Sequence, residues 1–438
     1  MKMTMKAAAA AVMAVCAASA AHAAGFMLTE QSAGALGRAY AGVGVDGTDI
    51  SGVYYNPATM ALHPGTTIQA GFVAVGLDLA FKGKDKDGNP ITENGQYNTQ
   101  AIPHGYISHQ LTDSVWLGLA MTVPFGMGTE YDDDWAWGNR GISAEVLTFD
   151  FNPNVAWKVS DKLSLGAGMS IQYAKADLKQ RLDNPRNITG ASIDSEVDAD
   201  SFAWGFNLGL MWSPLDNLRF GLSYRSRINH NADGDVELSN GKFNGVDAED
   251  LINQGGPGAM IGAGLVNMYG TYGGAAATIS TPAWAMATAA WDVNELLSLY
   301  ATFRWTDWSS FDELTIKSSA GNTTITNEWK DTYLFSVGAD LRFTNWWTFR
   351  AGLGYESSPV DDPSLRTSII PDADRWWFAL GSSFHTTKNL QIDVSAAWLH
   401  GTGERDLWSD YKENGGEIKG RFENLDAYLF GVQLVYKF

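Results

Sequence analysis

The chain ends Ala427-Tyr428-Leu429-Phe430-Gly431-Val432-Gln433-Leu434-Val435-Tyr436-Lys437-Phe438. Taken alternately, Tyr428, Phe430, Val432, Leu434, Tyr436 and Phe438 form one wholly apolar face. Ala427, Leu429, Gly431, Gln433, Val435 and Lys437 form the other, which is small or mixed. A period of two is the period of a β-strand. Aromatics near both ends with aliphatics between them suit a strand that crosses a bilayer in an outer-membrane barrel. A core strand of a soluble sandwich would show the same alternation, so the question is whether the pattern recurs.

It recurs from residue 66 onward. Fourteen candidate strands occupy 66–81, 101–110, 115–124, 145–158, 162–179, 196–212, 218–234, 277–291, 296–310, 327–343, 347–360, 371–385, 390–404 and 422–438. Phe202, Trp204, Phe206, Leu208, Leu210 and Trp212 share one apolar face, and Tyr333, Phe335, Val337, Ala339, Leu341 and Phe343 another. The opposite faces carry Arg219, Arg225, Asp340, Arg342, Arg350, Glu356 and Asp393. A charge facing lipid near the midplane costs a few kcal/mol, so these side chains belong in a lumen. Short connections (111–114, 160–161, 213–217, 292–295, 344–346, 386–389) alternate with long ones, as periplasmic turns alternate with outer loops. The expected fold is all-β: a transmembrane antiparallel barrel of about 14 strands over 66–438.

Residues 1–23 read as a secretory signal, with Lys2 and Lys6, an apolar run and a small-x-small cleavage site at Ala21-His22-Ala23. Ala24 is then the mature start, and the only cysteine, Cys16, leaves with the signal. That excludes disulfides and thiol chemistry in the mature chain. Residues 24–65 are glycine-rich and lack the alternation, and are too long for a linker, so a hatch lying inside the lumen is expected. Asn56 before Pro57 and Ala58 suits a turn or a helix cap within it. The net charge of −19 argues against nucleic acid as a partner.

No hydrolase or phosphate-binding motif is present, and the histidines are scattered, so neither enzyme chemistry nor a cofactor is expected. Glu130, Asp132, Asp133 and Asp134 cluster in a long loop without calcium-loop spacing, which favours a solvated loop face over a metal site. In the loop 235–276, the stretch 259–269 is apolar although it should face water; Met260, Ile261, Leu265 and Val266 could line an outer groove, or the loop could pack on itself. Arg225, Arg227, Arg342, Arg350 and Arg375 are candidates to bind a carboxylate, with pairing to Asp340, Glu356 and Asp393 as their structural alternative.

Several segments together resemble the FadL-type outer-membrane transporters of long-chain fatty acids and other hydrophobic compounds. They are Ala24-Gly25-Phe26, Gly37-Arg38-Ala39-Tyr40-Ala41-Gly42, Asn56-Pro57-Ala58, Thr306-Asp307-Trp308-Ser309-Ser310-Phe311, Ile370-Pro371-Asp372-Ala373-Asp374-Arg375, Leu399-His400-Gly401 and the terminal Tyr436-Lys437-Phe438. The resemblance spans the mature chain. It implies a hatch-plugged barrel and ligand capture in a groove formed by loops 180–195 and 235–276. Transfer would follow to a pocket at Phe26 and Leu28 beside the hatch. Passive lateral release would then occur through a kink in the third strand, near residues 115–124. Asn56, Pro57 and Ala58 would belong to the gating hatch. The partners implied are a hydrophobic small molecule, foremost a long-chain fatty acid, with outer-membrane lipid and lipopolysaccharide around a monomer. Alkane or aromatic-hydrocarbon uptake is the close alternative. A hydrophilic diffusion porin is a further one, against which the plug and the apolar loop speak. The mass of the purified mature chain should correspond to a start at Ala24; retention of residues 1–23 would contradict the signal assignment.

Overall fold

A computed structural model describes residues 25–84, 88–94, 99–318, 321–411 and 416–438. The signal segment and Ala24 lie outside the described residues. No helix among the described residues is long and apolar enough to cross a membrane; the crossing is made by strands. The fourteen barrel strands are β1 (Thr66–Lys84), β2 (Gln100–Gln110), β3 (Val115–Thr122, resuming at Gly126–Glu130), β4 (Ser143–Ser160), β5 (Leu163–Asp183), β6 (Ala191–Leu215), β7 (Leu218–Arg225, then Ile228–Phe243), β8 (Gly270–Thr281, then Trp284–Asp292), β9 (Leu297–Thr306), β10 (Thr332–Thr344), β11 (Trp347–Glu356), β12 (Asp374–His385), β13 (Leu390–Thr402) and β14 (Gly416–Lys437). Each pairs antiparallel with the next, and β1 closes the ring against β14 from Thr67↔Lys437 to Gly83↔Gly420. Closure leaves no sheet edge to be satisfied in lipid, which is why an alternating sequence without a spanning helix can live there.

The pleat fulfils the sequence pattern. In β14, Tyr428, Phe430 and Leu434 are 57%, 53% and 49% exposed on the lipid side, while Leu429, Gln433 and Val435 are buried inside. Aromatic pairs band the wall at both ends. Trp212–Phe220 and Trp346–Phe384 lie by the short turns, and Phe303–Tyr333 and Tyr355–Trp376 lie nearer the long loops. These are the girdles that sit at the two interfaces. Arg225, Asp340, Arg350, Glu356 and Asp393 all point into the lumen, each nearly fully buried.

The strands differ from their expected limits mainly above the bilayer. The seventh runs on to Phe243 instead of 234, and the eighth starts at Gly270 instead of 277. There the outward positions Asp233, Asp235 and Glu237 are charged. With no lipid to meet, the extension lacks the apolar outer face by which the other strands are recognised. Both strands pause in mid-course, at 226–227 and at 282–283, the latter where Pro282 has no N–H to give to a ladder.

Residues 25–65 fold inside the ring as short turns: α1 (Ala33–Leu36), α2 (Gly52–Tyr55) and a 3-10 turn over Pro57–Leu62. Ser32 caps α1 by accepting from the Ala35 N–H at 3.0 Å. The wall makes room through glycine. A Cβ on Gly352 would come within 2.1 Å of the Arg38 backbone, so β11 and the hatch can touch only because Gly352 has none. Gly352→Val should leave the barrel heat-modifiable on a gel but undock the hatch, read as new protease cleavage within 25–65; an uncleaved hatch would show that the contact can relax.

Candidate ligand route and lateral opening

The hatch is held on its short-turn side by charge. Arg38 pairs with Asp46 and, at 2.9 Å, with Asp340; Arg350 reaches Asp340 at 3.6 Å and Asp393 at 3.3 Å. On the opposite wall Arg225 pairs with Asp150 at 2.9 Å, donates to the Tyr54 carbonyl at 2.9 Å and lies 4.1 Å above the Tyr54 ring. Asn56 accepts from the Ala58 N–H at 3.2 Å and donates to the carbonyls of Gly44 and of Leu210 in β6, both at 3.0 Å. Pro57 opens the 3-10 turn at a position where its missing N–H costs nothing. Gly166 and Gly209 leave the space that Asn56, Pro57 and Ala58 fill, since a Cβ on either would overlap them.

On the long-loop side the hatch is mostly apolar, apart from Thr29, which accepts at 3.0 Å from Arg304, itself paired with Glu356 at 2.8 Å. Phe26 stands in an aromatic box, 4.8 Å from Trp308, 5.4 Å from Phe311, 5.9 Å from Phe125 and 6.1 Å from Trp329 between centroids. The Gly25 N–H donates to Asp372 at 2.9 Å, and Gly25 is required there by its positive φ and by the two indoles closing on it. Burial pushes the Asp372 carboxyl up to about 6 against the pull of Arg375 beside it. A small cavity of ≈ 10 Å³ touches Phe26 and is lined by Val146, Ala176, Ala199, His230 and Ile279. Above it, the lumenal side of the β5–β8 extension carries Leu178, Ile193, Val197, Val236 and Leu238, closed over by Met268. Leu178 belongs to this cluster and to the one around Phe26, so the apolar lining is continuous from the loops to the hatch.

Beside Phe26 the wall is interrupted. The β2–β3 ladder ends at Gly105↔Met121, although β2 continues back to Gln100. From there β3 turns to the hatch: Leu28 N–H donates to the Pro124 carbonyl at 2.8 Å and Gly126 N–H to the Phe26 carbonyl at 2.9 Å. A second interruption, between β6 and β7 over 201–206, is bridged directly by Ser201–His230 at 3.0 Å and by mutual bonds of Ser226 and Phe206.

None of the expected outer-groove residues or candidate arginines lines the cavity at Phe26. The apolar stretch of the fourth long loop is a helix over Pro257–Val266, packed on a second helix over Ala248–Gln254. Leu265 is fully buried against Ala191 and Ala248, Ile261 and Val266 are partly buried there, and Met260 alone of the four is exposed, at 82%. The large hollow between the loops, ≈ 1110 Å³, is instead polar, with Asp133, Asp183, Asp247 and Glu249 facing Arg181 and Lys242. Of the acidic cluster, Asp133 pairs with Lys179 at 2.7 Å, and no group of metal-binding side chains occurs among the described residues. All five candidate arginines are engaged: besides Arg225 and Arg350, Arg227 meets Asp307 at 2.6 Å, Arg342 meets Asp292 at 3.4 Å near the short turns, and Arg375 meets Asp372. Phe26 and Leu28 do lie at the junction of lining, hatch and break. The seam residues above them escaped the sequence reading because their outward neighbours are charged, and Arg38 escaped it because the hatch carries no strand pattern to mark it. Asn56→Ala, which removes three bonds, one of them a cap worth typically ~1 kcal/mol, should lower uptake of a long-chain fatty acid while the barrel stays intact; unchanged uptake at equal surface abundance would reduce Asn56 to a turn residue.

Residues 14–438 match the model of a family described as outer membrane protein transport protein (OMPP1/FadL/TodX). A long-chain fatty acid transport protein of Escherichia coli O6:H1 is 28% identical over 443 residues, covering 95% of this chain and 94% of that one. The crystal structure of a Pseudomonas aeruginosa FadL homologue superposes with a TM-score of 0.82 at 26% identity, covering 95% of this chain and 100% of that one. The Pseudomonas putida toluene transporter TodX shares the fold, with a TM-score of 0.71 at 17% identity over 94% of this chain and 99% of its own.

Proposed function

The chain belongs to the OMPP1/FadL/TodX family of outer-membrane transport proteins, and from that premise we propose that it carries long-chain fatty acids or similar apolar molecules passively inward. The observation that carries this reading is the unbroken apolar lining from Met268 through Leu178 to Phe26, ending beside the interrupted β2–β3 wall. Capture occurs at the outer end of the seam, where the loop helices with Met260, Ile261 and Val266 flank Phe243 and Tyr269. Transfer opens the cavity beside Phe26, which holds no chain in its closed form. Each methylene that enters gains roughly 0.8 kcal/mol, so a staircase of apolar steps suffices without an energy source. Downward passage meets the buried ion pairs of the hatch, so release is sideways through the break in β3. One copy contains the whole route, which supports action as a monomer surrounded by lipid and lipopolysaccharide.

A hydrocarbon cargo is the second reading. It is favoured by the engagement of all five candidate arginines with carboxylates, which leaves a ligand head without a dedicated partner among them. Cells lacking their own transporter should take up labelled long-chain fatty acid when they express this chain, and Ala176→Trp, which fills the cavity at Phe26, should abolish the gain. Uptake of toluene but not of fatty acid would select the second reading. Conductance to small hydrophilic solutes with neither cargo carried would overturn both in favour of a porin.

A further inference from the structure

The break in β3 raises a question that the route alone leaves open: what holds the freed strand. Continuing the ladder past Gly105↔Met121, one residue back along β2 for each one forward along β3, would set Pro103 opposite Val123 and Ile102 opposite Pro124. Peptide groups of successive residues face opposite sides of a strand, and the register from Leu111 and Val115 turns both Pro103 and Val123 toward this seam. Pro103 has no N–H to give to Val123, which ends the pairing but does not say where Val123 goes. A buried peptide with neither N–H nor C=O satisfied costs about 1–3 kcal/mol per group.

Both groups of Val123 are met by one side chain. The Gln31 amide donates from Nε2 to the Val123 carbonyl at 2.6 Å, and its Oε1 accepts from the Val123 N–H at 3.2 Å. The Gln31 backbone carbonyl accepts from the Tyr106 hydroxyl of β2, and Nε2 also donates to the Leu28 carbonyl at 3.2 Å. Gln31 is wholly buried. It therefore stands between the two parted strands, bonded to both, and mimics with a primary amide the peptide that β2 withholds. A carboxylate offers no donor and an apolar side chain offers neither group, so the donor-plus-acceptor character of glutamine is what the position uses. At the other interruption, between β6 and β7, Ser201 and His230 bond through their side chains and Ser226 exchanges bonds with the Phe206 backbone, so the wall bridges itself without a hatch residue.

We propose that Gln31 is the positioning residue of the lateral opening: its side-chain amide replaces the missing strand partner of Val123 and keeps β3 drawn toward the hatch, so that the wall stays parted from β2. This rests on the reading that ligand leaves through the break. It makes the opening a joint product of barrel and hatch, in which a movement of residues 25–31 on ligand arrival is transmitted to β3 through two hydrogen bonds.

The test compares Gln31→Met, which keeps length and loses the amide, with Val123→Ala, which keeps the peptide groups and loses the side chain. Both should insert, migrate as heat-modifiable barrels and reach the surface at wild-type abundance. In Gln31→Met, backbone hydrogen exchange over 121–127 should rise about tenfold, the equivalent of one net hydrogen bond, while the rest of the barrel is unchanged. Fatty acid uptake should fall severalfold in Gln31→Met and stay within about twofold of wild type in Val123→Ala. Wild-type exchange over 121–127 in Gln31→Met, wild-type uptake by it, or an equal loss in Val123→Ala would overturn the proposal. If the unsubstituted chain carried no fatty acid at all, the transport reading would fail by itself, and the exchange measurement would still decide whether Gln31 holds β3.

Discussion

Arg38, shared between Asp46 and Asp340 in the middle of the lumen, is the interaction on which the arrangement depends. A guanidinium cannot shed its proton, so once buried it must be surrounded by acceptors. Asp340 in turn needs a second cation for its own burial and finds Arg350, which reaches on to Asp393. Asp393 accepts from Gln433 of β14, whose side chain also meets Asp49 and the backbone of Ala33 in the hatch. The chain of partners thus runs from hatch to β10, β11, β13 and β14 and back to the hatch. Removing one member of such a set leaves an uncompensated charge, typically at a cost of 3–5 kcal/mol. The set stabilises one docking of the hatch more than it stabilises the barrel.

This polar fastening lies in the half of the lumen nearer the short turns, whereas the contacts of Phe26 with Trp308, Phe311 and Trp329 lie in the half nearer the loops. The two halves act differently on a solute. Aromatic contacts are non-directional and yield to a ligand that replaces them with equivalent apolar surface. The ion pairs below cannot be exchanged for methylenes without orphaning charge. On the proposed route a hydrophobic molecule would therefore stop at Phe26, beside the interruption between β2 and β3.

Much of this was legible in the chain. The alternation in 427–438 and its recurrences located the strands, and the segregation of Arg225, Asp340, Arg350 and Asp393 to one face identified the lumen, because lipid enforces that segregation. Where lipid ends, so does legibility: the charged extension of β7 past residue 234 reads as loop, and the helix over Pro257–Val266 shows in the sequence only as apolar content without period. The kinked third strand was placed at 115–124 from the resemblance, and Pro124 lies within that span, but a break is defined by what two strands fail to share. Gln31 could not have been found this way. Its partner Val123 is 92 residues distant, and a lone glutamine in a glycine-rich stretch carries no periodic signal.

The pairing of the lumenal charges also bears on selectivity. An arginine already neutralised by a buried carboxylate attracts a ligand carboxylate only by the difference between the old partner and the new. That difference is small when both are desolvated. The wall would therefore gain little by recognising a head group, while the proposed seam from Met268 to Leu178 and Phe26 would respond to every apolar group presented to it. A binding surface of that kind separates apolar from polar solutes sharply but ranks chain lengths weakly, since one methylene is worth only about 1 kcal/mol. On the proposed route, breadth of cargo would follow from the same constraint that fastens the hatch: the charges hold the protein together, and the hydrophobic effect would be left to choose what passes.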